Sequence, residues 1–122
     1  MACYPFNLLY AIPPTVLAKS PQVSVIRGGM ARLVCDVEAW PKPEIIWLKD
    51  GEHIYDNDQY TTESRATGHY TTVYVLEIAH VEERHYGNYL CKVHNERGIG
   101  QANILLIEDE GDDRYLNMVP SE

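Results

Sequence analysis

Along most of this chain apolar and polar residues alternate at every second position, in short runs closed by turn-forming residues. That period predicts β-strands with one face turned inward. Gln22–Arg27 alternates in this way and stops at Gly28-Gly29. Met30–Ala39 places Leu33, Cys35 and Val37 on one face and Arg32, Asp36 and Glu38 on the other. Trp40-Pro41-Lys42-Pro43 predicts a stiff connection, because proline fixes φ and lacks an N–H. Glu44–Lys49 carries Ile45 and Trp47 on one face and Ile46 and Leu48 on the opposite one, and Lys49-Asp50-Gly51 reads as a turn.

Asp56–Ser64 is polar and predicts a loop leading into a weak edge strand. Tyr70–Ala79 alternates again, with Tyr74, Leu76 and Ile78 inward, and a polar corner follows at Glu82–Tyr86. Gly87–Asn95 turns Tyr89, Cys91 and Val93 inward; Asn95-Glu96-Arg97-Gly98 has hairpin chemistry; Ile99–Ile107 turns Ala102, Ile104 and Leu106 inward. Seven or eight short strands without helical periodicity predict an all-β sandwich or barrel.

Composition adjusts this picture little. The 122 residues fit one domain, and a 45% hydrophobic fraction is enough to fill its core. The formal net charge is −8, of which Glu108–Glu122, with six acids against Arg114, carries most. The folded part is thus nearly neutral, which argues against nucleic acid or an anionic membrane as partner. No run of about 20 apolar residues exists to span a bilayer. Residues 1–18 hold a short apolar stretch and Val16-x-Ala18, similar to a cleavage site, but Pro13-Pro14 interrupts the run and no basic residue precedes it. We therefore divide the chain into a linker or vestigial leader over 1–18, a sandwich over 19–108 and an acidic flexible tail over 109–122.

Three cysteines, Cys3, Cys35 and Cys91, allow at most one intrachain disulfide. Cys35 and Cys91 lie mid-strand and inward, 56 residues apart, with Trp47 twelve residues after the first and Tyr89 two before the second. That constellation is the immunoglobulin arrangement of a disulfide joining two antiparallel sheets, an indole packed on it and a tyrosine corner; two unrelated buried thiols are the alternative.

The ending Cys91-Lys-Val-His-Asn95-Glu-Arg-Gly98 resembles I-set immunoglobulin domains. More narrowly, Cys35-Asp-Val-Glu-Ala-Trp-Pro-Lys-Pro43, Ile46-Trp-Leu-Lys-Asp50 and Arg84-His-Tyr-Gly-Asn-Tyr-Leu-Cys91 resemble the third, membrane-proximal domain of the lachesin, IgLON and Dpr-interacting families of neural adhesion proteins. The similarity covers about Ile12 to Ile107. The acid usual two positions before the glycine of D-x-G-x-Y-x-C is His85 here. The resemblance implies an extracellular or cell-surface module, adhesive or spacing, as part of an anchored protein or secreted. Its partners would be other immunoglobulin-superfamily cell-surface proteins, or a second copy of itself.

Neither catalysis nor a cofactor is expected. The histidines His53, His69, His80, His85 and His94 have no metal-ligand spacing, and no nucleophile elbow, phosphate loop or paired carboxylates are present. Tyr115-Leu-Asn-Met118 resembles a phosphotyrosine docking motif, a short match better read as solvated tail. No N-x-S/T sequon exists to shield a surface with glycan. By alternation, Ile46, Leu48, Leu90 and Leu105 point away from the core, flanked by Lys92, His94, Gln101 and Asn103. We take Ile46, Leu48, Leu90, His94 and Leu105 as a candidate protein interface. Two other classes of function compete: an intracellular structural I-set domain of a muscle-type scaffold, and a small secreted decoy. The oxidation state of Cys35 and Cys91 separates the intracellular class from the rest.

Overall fold

A computed structural model describes residues 11–109. The strands are β1 (Ile12–Ala18), β2 (Gln22–Val25), β3 (Ala31–Trp40), β4 (Glu44–Lys49), β5 (Glu52–Ile54), β6 (Tyr60–Ala66), β7 (Thr71–Ile78), β8 (Gly87–Asn95) and β9 (Gly98–Glu108). One 3₁₀ turn, Glu83–His85, precedes β8. They form two sheets, in the orders β1-β3-β7-β6 and β2-β9-β8-β4-β5. All neighbours are antiparallel except β2 and β9, which run parallel with Val23 opposite Leu106.

The period-two pattern survives in the burial of each central strand. In β3, Ala31, Leu33, Cys35, Val37 and Ala39 are buried while Arg32, Asp36 and Glu38 are exposed. Tyr74, Leu76 and Ile78 from β7 face them, and Trp47, Tyr89, Val93, Ile104 and Leu106 close the core from the second sheet. Each such large aliphatic taken out of water contributes about 1.5–3 kcal/mol, so the two inner faces drive the sheets together. Cys35 and Cys91 are bonded at a Cα separation of 6.8 Å. Trp47 is the register partner of Cys91 and is itself buried, which places the indole beside the disulfide. Tyr89 donates its hydroxyl hydrogen to the carbonyl of His85, the tyrosine corner.

The sequence reading needs two corrections. Residues Ile12–Ala18, assigned above to a linker or leader, are the first strand and pair with β3 from Ile12↔Trp40 to Ala18↔Cys35. Proline is confined to sheet edges, where its missing N–H breaks no ladder bond, and β1 is such an edge with a register shift between Ile12 and Thr15. The sandwich therefore begins at Ile12. The weak edge strand expected after the Asp56–Ser64 loop is Tyr60–Ala66; it starts earlier than predicted, inside that stretch, and pairs residue by residue with β7 from Tyr60↔Ile78 to Ala66↔Thr72. Its side chains are mostly exposed because it, too, is an edge. The predictions for Cys3, for the Tyr115–Met118 motif and for most of the acidic tail lie outside the described residues.

Chain direction carries the two ends of the described fold to opposite poles. At one pole, Asn95 Nδ2 donates to the carbonyls of Ile12 (3.1 Å) and Pro41 (3.0 Å), and its Oδ1 accepts the Arg97 N–H. At the other, Arg27 Nη2 reaches Glu108 Oε1 at 3.2 Å, and the Tyr86 hydroxyl donates to the Val25 carbonyl at 2.8 Å.

Candidate protein-contact face

The outer face of the five-stranded sheet is set by the inward residues just described. Trp47, Tyr89, Cys91, Val93 and Ile104 point to the core, so the residues between them must point out. In β4 these are Glu44, Ile46 and Leu48; in β8 Asn88, Leu90, Lys92 and His94; in β9 Ile99, Gln101, Asn103 and Leu105.

Register then decides which of them meet. Leu48 lies opposite Leu90, Ile46 opposite Lys92, and Glu44 opposite His94. On the far side of β8, Leu90 pairs with Asn103, Lys92 with Gln101, His94 with Ile99 and Asn88 with Leu105. Directly opposite side chains sit about 5 Å apart at Cβ and diagonal ones about 7–8 Å. The structure thus joins Ile46, Leu48 and Leu90 in one aliphatic group, with Leu105 diagonal to Leu90 across the β8–β9 ladder. His94 stands at the polar end of the face, its Nε2 3.5 Å from Glu44 Oε1.

The four aliphatics are half-buried rather than fully exposed. Lys92, between Ile46 and Gln101, is half-buried as well, as expected when a lysine stem lies along apolar neighbours with its ammonium in water. Two residues missed by the sequence reading belong to this face. Ile99, paired with His94, is 64% exposed, and alternation along Ile99–Ile107 contained that signal. His53 in β5 pairs with Leu48 and stacks on Tyr55 with ring centroids 4.0 Å apart. No motif marked those two, because β5 is only three residues long.

The face places no nucleophile beside a base. It consists of aliphatic area ringed by the polar side chains of Glu44, Lys92, His94, Gln101 and Asn103.

The family model described as "Immunoglobulin domain" matches residues 13–95. Lachesin of Drosophila melanogaster is 31% identical over 102 residues, covering 84% of this chain and 28% of that protein. Limbic system-associated membrane protein of Gallus gallus is 34% identical over 94 residues, covering 77% of this chain and 26% of that one. The chain therefore spans less than a third of the length of these relatives. Among solved structures, a complex of Dpr2 Ig1-Ig2 with DIP-Theta Ig1-Ig3 contains a chain matched with a TM-score of 0.77 at 25% identity, over 81% of this chain and 33% of that one. Titin M4 matches with a TM-score of 0.69 at 18% identity, over 81% of this chain and 98% of that one, a likeness of fold alone.

Proposed function

Because this chain belongs to the immunoglobulin-domain family, we propose that it is an extracellular adhesion module that meets another immunoglobulin-superfamily protein, or a second copy of itself, through the outer face of its five-stranded sheet. The observation that carries the reading is the opposed pair Leu48 and Leu90, extended by Ile46 and Leu105 on a face with no covering element among the described residues. The relatives supply the class: lachesin and limbic system-associated membrane protein match over most of this chain. An I-set assignment is supported by the split N-terminal edge, in which β1 joins one sheet and β2 the other. The two poles of the sandwich, with Ile12 at one and Glu108 at the other, suit end-to-end stringing of domains, and the third, membrane-proximal position rests on the sequence resemblance.

The disulfide supports the extracellular side of the reading, since such bonds persist in oxidising compartments. Protein isolated from its own cells should show Cys35 and Cys91 oxidised; free thiols there would favour an intracellular scaffold domain instead.

The contact itself is tested by the double variant Leu48→Lys, Leu90→Lys. Both side chains face outward, so the fold and its disulfide should persist. Self-association in sedimentation, or binding to displayed immunoglobulin-superfamily ectodomains, should weaken by at least about tenfold, the effect of losing a hydrophobic anchor. Unchanged association in a folded variant would remove this face from consideration.

A further inference from the structure

Beside the contact face, the β4–β5 hairpin and the loop after it line an open cleft of about 360 Å³. That size lies at the small end of ligand sites. Lys49, Glu52, His53, Tyr55, Asn57 and Arg84 contribute to its wall. Three features of the wall specify a ligand.

The first is an aromatic platform. Tyr55 is 66% exposed, although solvent exposure of so large a ring is unfavourable. It is held rather than free: its ring stacks on His53 at 4.0 Å with an interplanar angle of 23°, which occupies one face and leaves the other open. Alternation fixes this pair, because Ile54 between them is buried and both neighbours must project outward.

The second is charge balance. Lys49 Nζ lies 2.6 Å from Asp50 Oδ2, and Arg84 Nε lies 3.1 Å from Glu82 Oε1. Each cation in the wall already has its carboxylate, so an anionic ligand would have to displace one. The third is a matched donor and acceptor. Asn57 Oδ1 accepts the N–H groups of Gln59 (2.7 Å) and Tyr60 (3.0 Å), which fixes its amide plane and leaves Nδ2–H₂ to donate. Glu52 makes no ion pair among the described residues and is exposed on the edge strand, ready to accept hydroxyl hydrogens.

An open ring face with a fixed amide donor, cations already paired and one unpaired carboxylate as acceptor disfavours an anion and suits a neutral polyhydroxylated ring with an apolar C–H face. We propose that this cleft binds an uncharged pyranose sugar, stacked on Tyr55 and hydrogen-bonded by Asn57 and Glu52. The site shares His53, the ladder partner of Leu48, with the contact face but lies two strands from Leu90, so a change at Leu90 alone separates sugar binding from protein contact.

The test is a titration of the ¹⁵N-labelled full chain with methyl glucoside, methyl galactoside, methyl mannoside and N-acetylglucosamine, each to on the order of 10 mM, a range suited to small weak ligands. At least one sugar should give saturating amide shifts confined to residues 49–60. Tyr55→Ala should weaken that binding about tenfold and Tyr55→Phe should preserve it, because the ring face and not the hydroxyl is used. Glu52→Gln should weaken it without moving the sandwich, and the single variant Leu90→Lys, two strands away from the cleft, should bind as the parent does. Absence of a saturating shift with all four sugars overturns the proposal. So does unaltered affinity in Tyr55→Ala, or tighter binding of a sulfated heparin disaccharide than of any neutral sugar.

Discussion

Each ring nitrogen of His85 has a partner of fixed polarity. Nδ1 accepts the Glu82 N–H at 2.8 Å, and Nε2 lies 3.2 Å from Gln59 Oε1, so the neutral ring carries its hydrogen on Nε2 and donates it. The side chain is fully buried, with the Tyr60 ring edge-on to it. Burial is the main cause that holds its pKa below the ordinary value, aided by Arg84, Lys49 and His80 and opposed by Glu82. The backbone role here belongs to an imidazole where D-x-G-x-Y-x-C has an acid, and that exchange has a consequence for pH. Above about pH 6.5 the ring is neutral in both folded and unfolded chains and stability is unaffected. As pH falls below that value the unfolded chain takes up a proton that the folded chain resists, so stability declines, by at most about 1.4 kcal/mol per pH unit for one proton. Urea midpoints measured from pH 7.5 down to about pH 5 should therefore fall in the parent. In His85→Asn, whose side-chain oxygen can still accept the Glu82 N–H, that component should be absent. Parallel slopes in the two proteins would show that other groups govern the acid response.

At the scale of elements, β1 is where sequence and structure part most. Leu17 is exposed, Pro14 is buried and Val16 packs against the core, a pattern that two prolines and a small residue disguise. The strand also closes the sandwich against β9. A Cβ added at Gly100 would lie 2.8 Å from the Pro14 carbonyl oxygen and 2.9 Å from Val16 Cγ2, so only glycine permits that approach. Gly100→Ala should cost about 1–3 kcal/mol, the range for overpacking, measured as a lower urea midpoint at constant slope. A chain starting at Lys19 would lose the whole β1 ladder and should be less stable by roughly 2–4 kcal/mol from the burial of Pro14, Val16 and Ala18 alone. An equal midpoint for the shortened chain would mean that β1 is peripheral to the fold. The start of the edge strand β6 was obscured for the opposite reason. YTTESRA is too polar to show an inward face, and its position comes from the β7 ladder rather than from burial.

For the whole molecule, the tie between the sheets is the Cys35–Cys91 bond, which closes a span of 56 residues. In the chain-entropy account such a loop contributes about 4 kcal/mol, comparable to the net stability of a small domain. Cys35→Ala with Cys91→Ala should lower stability by about 2–5 kcal/mol in calorimetry or urea, and loss of under about 1 kcal/mol would assign the strength of the fold to its core instead. The sandwich itself was legible because its central strands alternate, so Cys35, Tyr89 and Cys91 could be placed from period two; β4 is apolar on both faces, and there the position of Trp47, twelve residues after Cys35, set the inward side. The outward direction of Ile46, Leu48, Leu90 and Leu105 followed from the same rule. Their grouping did not, since register across β4, β8 and β9 is a property of the paired strands, and it is register that sets Leu48 against Leu90 and His94 between Glu44 and Ile99. The cleft at Tyr55 was further from reach still, because Arg84 comes to it from the corner before β8. Local chemistry determines which way each strand faces; only the assembled sheets decide which outward residues become neighbours, because neighbours there are made by ladders between distant segments.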